Sequence, residues 1–305
     1  MIAFCLRRAL WMVLTLWIVF TATFFLMRAV PGGPFDSERA LEPEIEMNML
    51  RRYNLDKPLH VQYGLELWNY CRGDFGHSFK LGDYTVNQVI AEGLPISIAL
   101  GLLALGFAVS LGLLAGITSA VCRGGWADVA LMLVATIGIA LPNFVIAGIC
   151  IIFFVFLIPL FPAAGWGELN QLVLPALCLG APYAAYIARI SRTSMLDVLS
   201  QDHIRTARAK GVGPVRVVMV HALRGALLPV VSFLGPAIAG ILTGSLVVEQ
   251  VFAIPGLGSH FVYAALQRDY TLAMGLVMLY TVLLYSMNWI VDLSYAVLDP
   301  RVQLE

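Results

Sequence analysis

The chain has 305 residues, 60% of them hydrophobic and 12% charged, with 19 Lys and Arg balancing 19 Asp and Glu. That composition excludes an ordinary water-soluble domain and makes the bilayer the chain's main solvent. A net charge of zero names no partner; the placement of the charges carries the information.

Crossing roughly 30 Å of hydrocarbon takes about 20 apolar residues, and each backbone amide must find its partner within the segment. Six runs meet this requirement as helices, at residues 9–27, 94–121, 129–158, 172–190, 227–248 and 272–297. The expected fold class is therefore an all-α polytopic membrane protein with six transmembrane helices. The first run follows Arg7 and Arg8 as a signal peptide would, but it is too long for an h-region. MRAVPGGP after it offers no small-residue cleavage site, so residues 1–30 read as an uncleaved first helix. The second and third runs exceed a minimal span and are expected to tilt or to continue past the bilayer.

Lys and Arg in short loops set the orientation. With the N-terminus inside, the short cytoplasmic pieces carry Arg7, Arg8, Arg123, Arg189, Arg192, Arg205, Arg208, Lys210, Arg216, Arg224 and Arg301. The short outer loops near 159–171 and 249–271 hold only Arg268. Both termini are thus expected in the cytoplasm, with residues 299–305 as a short tail.

Residues 31–93 form the long extracytoplasmic region. Residues 41–55 read as a short helix, with Pro43 in its first turn, acids early and arginines late. Residues 62–70 suggest a second helix, followed by the glycine-punctuated RGDFGHSFKLGDYT. With few large apolar side chains the region makes a weak core, and packing on the helix bundle is expected. It either shapes the outer mouth or docks an extracytoplasmic partner.

Only Cys71 lies on the oxidising side in this topology; Cys5 and Cys122 are at the inner edge, and Cys150 and Cys178 are within helices. No outer disulfide and no metal site is expected, since His60, His77 and His260 are scattered. Lys57, Lys80 and Lys210 precede Pro, Leu and Gly, so none is a P-loop lysine. Ionisable groups are nearly absent from mid-helix: Glu249 and Asp292 lie near helix ends, while Asn143 and Asn288 are the notable mid-span polar groups. No catalytic residue and no bound cofactor is expected, so energy for uphill movement must arrive through a partner.

The segment 201–225, QDHIRTARAKGVGPVRVVMVHALRG, is the polar exception between apolar runs. Ser200 or Asp202 is expected to cap a helix running to Lys210, which Gly211, Gly213 and Pro214 stop. Ile204, Ala207 and Gly211 share one face with room for a neighbouring backbone, flanked by Arg205, Arg208 and Lys210. Residues 215–223 are again amphipathic and suit a path along the membrane surface. On these residues alone, an ordinary basic loop gripping anionic lipid and a docking helix both stand.

RTARAKGVGPVRVVMVHALRG resembles the EAA loop of bacterial ABC-importer permeases, whose short helix fits a cleft in an ATPase subunit. That family's Glu-Ala-Ala, followed after three residues by Gly and after nine more by Ile-x-Leu-Pro, is matched at Ala207, Gly211 and Leu223. Arg205, Thr206, His221 and Arg224 depart from it. IRTARAKG and HALRGALLPV follow the peptide-permease version closely. RAVPGGPF, GDFGHSFK, TGSLVVEQVFAIPGLG and RDYTL extend the resemblance to the B-type permease subunit of oligopeptide and dipeptide importers over essentially the whole chain.

The resemblance implies a type I importer permease in the bacterial inner membrane, with a core at 94–298 and a coupling loop at 191–225. It implies a homologous second permease, two cytoplasmic ABC ATPases that bind ATP and Mg, and an extracytoplasmic peptide-binding protein as partners, with no nucleic acid. Ile204, Arg205, Thr206, Ala207, Arg208, Lys210, Gly211 and Leu223 then become the ATPase-coupling residues. Glu249, Asn143, Pro255 and Gly256 become candidates for the translocation path or for binding-protein docking. For Glu249 a surface-exposed carboxylate, a pair with the second permease, and a contact to a peptide amino terminus all stand. Nickel, glutathione or a peptide-like antibiotic are alternative cargoes, and a gradient-driven carrier is the alternative class.

Overall fold

The computed structural model describes residues 2–29, 47, 48, 50, 51, 53–82, 84–244 and 246–298, with side chains left out at 2, 3, 242–244 and 291–298. The expected helix over 41–55 and the tail 299–305 lie largely or wholly outside the described residues. The side chain of Asp292 lies outside them as well.

The helices are α1 (Ile2–Ala29), α2 (Leu59–Cys71), α3 (Val86–Val121), α4 (Trp126–Ala140) and α5 (Asn143–Ile151), the last continued by a π-helical stretch Ile152–Leu157. Then come α6 (Leu169–Leu199), α7 (Asp202–Ala209), α8 (Pro214–Ala226), α9 (Leu228–Gly244), α10 (Leu246–Val251), α11 (Leu257–Gln267) and α12 (Tyr270–Leu298). Among the described residues, four helices are long and apolar enough to cross a membrane, or up to six if each of two bent pairs counts as one span.

The bent pairs are where the expectation of one helix per apolar run fails. The run 129–158 is not one helix: α4 and α5 with its extension meet at 114°. Pro142 has no N–H to continue the ladder, and its ring pushes Leu141 into extended backbone at φ −86°, ψ 132°. At 53°, α8 and α9 form a milder elbow. By contrast α6 runs unbroken through Pro175 and Pro182. The second expected run starts earlier than its apolar core, at Val86, and at 36 residues reaches about 54 Å.

The described residues fall into two compact units. In the first, covering described parts of Met1–Pro95 together with Gly256–Ser286, α2 is held on α1. Phe20, Phe24 and Met274 are buried with Tyr63, Leu67 and Tyr70 packed against them. Arg28 stacks 3.5 Å over the Phe24 ring, donates to Gln62 Oε1 at 3.1 Å and pairs with Glu66 at 3.0 Å. Burial pushes the Glu66 carboxyl above its ordinary range, while Arg28 pulls it down. Burial, with the neighbouring Glu66 charge, likewise raises the Tyr70 phenol. The expected second outer helix is present and longer, and it packs on α1 as anticipated.

In the second unit, the described parts of Ile96–Pro255 and Met287–Gln303, α6 is the central rod and the most buried of the four long apolar helices. It lies against α3 through glycines. A Cβ on Gly180 would stand 2.5 Å from the Ala104 carbonyl oxygen, one on Gly112 2.7 Å from that of Ala184, and one on Gly116 2.5 Å from that of Ala188. Such contacts bring two backbones together by van der Waals packing, which lipid cannot outcompete. α4 packs on the same rod through Ala135, Ala185 and Ala188. There Asp128 accepts a two-pronged pair from Arg192, at 2.7 Å from Nε and 2.8 Å from Nη2, and also bonds the Ser119 hydroxyl and the Gly124 N–H.

Candidate functional site

α6 ends where Ser200 turns back on it, its hydroxyl donating to the Asp197 carbonyl at 2.7 Å. Gln201 is extended (φ −74°, ψ 155°), and α7 begins at Asp202 with no side chain capping its amides. The expected cap from Ser200 or Asp202 is therefore not formed. Ser200 closes the preceding helix instead, and the Asp202 carboxylate faces Arg205 at 3.3 Å across one turn. With side chains 73% and 94% exposed, that pair adds little stability. The helix stops at Gly211, whose φ of +78° is the left-handed conformation glycine adopts without a Cβ penalty.

α7 has two faces of opposite character. Ile204 and Ala207 are buried in a cluster with Ala120, Met195, Val198, Val217, Ala222 and Ala226, and Leu223 packs against it. Burying an isoleucine contributes about 2 kcal/mol, enough to seat so short a helix on the end of α6. His203, Arg205, Thr206, Arg208 and Lys210 stay exposed. The face anticipated for a neighbouring backbone is thus divided: Ile204 and Ala207 contact this chain's own core. Gly211 points outward, with nothing within 4 Å of a Cβ placed on it.

After Gly213, Pro214 sits at the first position of α8, where its missing N–H is harmless. Val217, Ala222 and Ala226 face the cluster, while Val215, Met219 and Val220 are exposed. The segment is amphipathic, with a π-helical stretch from Val217 to Ala222.

The remaining candidates lie away from α7. Asn143 is the half-buried first residue of α5, directly after the Pro142 bend. Glu249 in α10 is fully buried and accepts the Ser97 hydroxyl at 2.8 Å. The surface-exposed reading of Glu249 is overturned: a carboxylate away from water needs such donors, because desolvation costs more than any single bond returns. Val248 beside it joins the α5–α6 core cluster, which fixes the helix face that Glu249 shares. Pro255 is exposed and Gly256 is buried at the start of α11. Among the described residues no three His, Cys, Asp or Glu side chains converge as a metal site would need.

Residues 108–304 match the family described as binding-protein-dependent transport system inner membrane component. The chain is 46% identical over 305 residues to the oligopeptide transport system permease protein OppB of Haemophilus influenzae, covering 99% of this chain and all of that one. It is 43% identical to the dipeptide transport system permease protein DppB of Bacillus subtilis, over 100% of this chain and 99% of that one. In fold it is similar to a solved structure of the MetNI methionine ABC transporter in inward-facing conformations. The TM-score is 0.57 at 19% identity, covering 70% of this chain and 97% of that one. The chain belongs to the family of binding-protein-dependent transport system inner membrane components.

Proposed function

We propose that this chain is a permease subunit of an ATP-driven importer that carries peptides across the bacterial inner membrane, and that α7 is where separate ATPase subunits push on it. Relatives matching over the whole length are peptide permeases by name, which favours peptides over nickel, glutathione or a peptide-like antibiotic. One observation carries the coupling assignment. α7 is anchored by Ile204 and Ala207 to the end of a 31-residue helix, while its cationic face is left open. A load applied to that face is transmitted along α6 to the helices packed on it.

In this reading α7 and both termini face the cytoplasm, and the two bent pairs count as spans, giving six. A homologous second permease completes the translocation path, an extracytoplasmic binding protein delivers the peptide, and two ATPase subunits hold ATP and Mg. The residues that meet the ATPase are Arg205, Thr206, Arg208, Lys210 and Gly211; Ile204, Ala207 and Leu223 hold them in place. Glu249, with Ser97, is a buried polar pair within the bundle suited to the path, and Asn143 sits at its bend. Pro255 and Gly256 belong to the outer loop that the binding protein approaches.

The test uses the assembled transporter carrying R205E and K210E, exposed positions whose reversal leaves the core intact. Uptake of a labelled tripeptide and recovery of ATPase subunits with this chain should both fall at least tenfold, with membrane yield unchanged. Undiminished uptake, or uptake abolished by a protonophore and indifferent to vanadate, removes the assignment.

A further inference from the structure

Four arginines near the α6–α7 junction divide into two kinds. Arg192 is held by Asp128 and Arg205 by Asp202. The side chains of Arg123 and Arg208 make no ion pair or hydrogen bond among the described residues. Both line the same cavity of about 340 Å³, bounded by the end of α3, the end of α6 and the start of α8. Its walls are otherwise apolar, formed chiefly by Val121, Leu196, Leu199 and Val218. The one hydroxyl there, on Ser200, already bonds the Asp197 carbonyl. What the cavity offers a ligand is therefore a greasy wall and two uncommitted guanidiniums.

Its position in the chain narrows the ligand. Val121 is the last residue of α3, and 55% of it is exposed; Arg123 follows two residues later. The cavity thus lies where an apolar helix long enough to span gives way to polar chain, which the proposed topology puts near the lipid headgroups. A free phosphate would engage the guanidiniums and leave the apolar walls wet. A lipid acyl chain alone would leave two cations unanswered. An amphipathic anion satisfies both halves at once.

We propose that this cavity is a binding site for an anionic phospholipid, its phosphodiester between Arg123 and Arg208 and its glycerol and upper acyl carbons against Val121, Leu196, Leu199 and Val218. Because Arg123 follows α3 and Arg208 is on α7, the bound lipid ties the end of a spanning helix to the short helix seated on α6. The site goes beyond the transport reading: Arg208 is shared with the face offered to the ATPase, whereas Arg123 is not on α7, so R123Q tests the lipid site apart from that reading.

The purified transporter complex is titrated with dioleoyl phosphatidylglycerol and with dioleoyl phosphatidylcholine, and retained lipid is counted by native mass spectrometry. The phosphatidylglycerol preference should exceed tenfold. A basic residue at a membrane surface contributes about 1 kcal/mol, or roughly fivefold. R123Q should therefore lower the preference about fivefold, R123Q/R208Q should abolish it, and R123K should keep most of it. A photoactivatable phosphatidylglycerol on the unaltered complex should label Val121 and Leu196, which decides the matter even where a variant does not assemble. Equal retention of the two lipids, or an R123Q complex with full preference, overturns the site. So does displacement of lipid by soluble glycerol phosphate at matched concentration, or labelling of the cavity walls by an ATPase subunit instead of lipid.

Discussion

The Asp269 carboxylate accepts the Ser78 hydroxyl across 191 positions of sequence, and both residues are fully buried. The same carboxylate takes the N–H of Phe79 at 3.1 Å, of Lys80 at 3.2 Å and of Leu272 at 3.1 Å. It therefore caps α12 and clasps the loop after α2 in one stroke, and Ser78 in turn accepts the Leu81 N–H at 2.9 Å. Removing the carboxylate strands two buried donors, the Ser78 hydroxyl and the Leu272 N–H, each costing about 1–3 kcal/mol when left unpaired. D269A should lower the unfolding temperature of the detergent-purified complex by several degrees and open the loop at 77–81 to protease. D269N, which keeps one acceptor oxygen, should do less. A D269A chain as resistant as its parent would dissolve the clasp.

The Asp128–Arg192 pair makes a second, sharper prediction. Asp128 is almost wholly buried, and the guanidinium meets it through two parallel bonds. D128A leaves a part-exposed cation and R192A a buried anion without its partner, so both should lower stability, R192A the more. Removing both groups should cost less than the two single losses together, as a coupled pair requires. R192K should fail to restore stability, because an ammonium cannot reproduce the fork. Additive single losses in a thermal-unfolding cycle would show the two side chains act independently.

The glycine seam between α3 and α6 carries its own control. A Cβ at Gly116 would meet the Ala188 carbonyl oxygen, backbone that cannot step aside, whereas one at Gly106 in the same helix meets nothing within 4 Å. G116A should therefore destabilise by about 1–3 kcal/mol. G106A should be neutral or gain up to about 1 kcal/mol from helix propensity. The measurement is unfolding of the two variants side by side, and equal effects would mean the seam sets nothing.

These features show what the sequence could and could not disclose. The apolar runs were legible because hydrocarbon imposes one solution on any 20-residue greasy segment, and the stop of α7 was close to that expected from Gly211 and Pro214. The 114° turn at Pro142 was not, because the prolines inside α6 are absorbed without a break and nothing local separates the two outcomes. Ile204 and Ala207 read as a face for a stranger, since small spacing on a short helix cannot say whose backbone approaches. The cluster built by Ala120, far away in sequence, and Met195 on the preceding helix decided it. Glu249 kept three readings, the surface among them, because Ser97, its donor, lies 152 positions earlier. Asp128 and Asp269 were passed over for the same reason: a carboxylate's meaning is set by donors that only the fold brings to it.

His260 gives a pH prediction with a definite sign. It lies half-buried in α11, and burial holds its imidazole below the ordinary value near 6.5, while the Glu92 carboxylate pulls the other way. Above that ordinary value the ring is neutral whether the chain is folded or not, and stability is unaffected. As pH falls through it, the unfolded chain takes a proton that the folded chain still refuses, so the fold loses stability until its own lower pKa is passed. Glu66 works in the opposite sense, since its raised pKa lets the folded chain take up a proton first on acidification. The informative quantity is therefore the difference between parent and H260Q. Unfolding temperature should diverge in favour of H260Q as pH is lowered from 7 towards 5, and should run parallel above 7. E92Q, which removes the compensating charge, should steepen the parent's decline. If parent and H260Q curves stay parallel throughout, burial of the ring is not what the fold responds to.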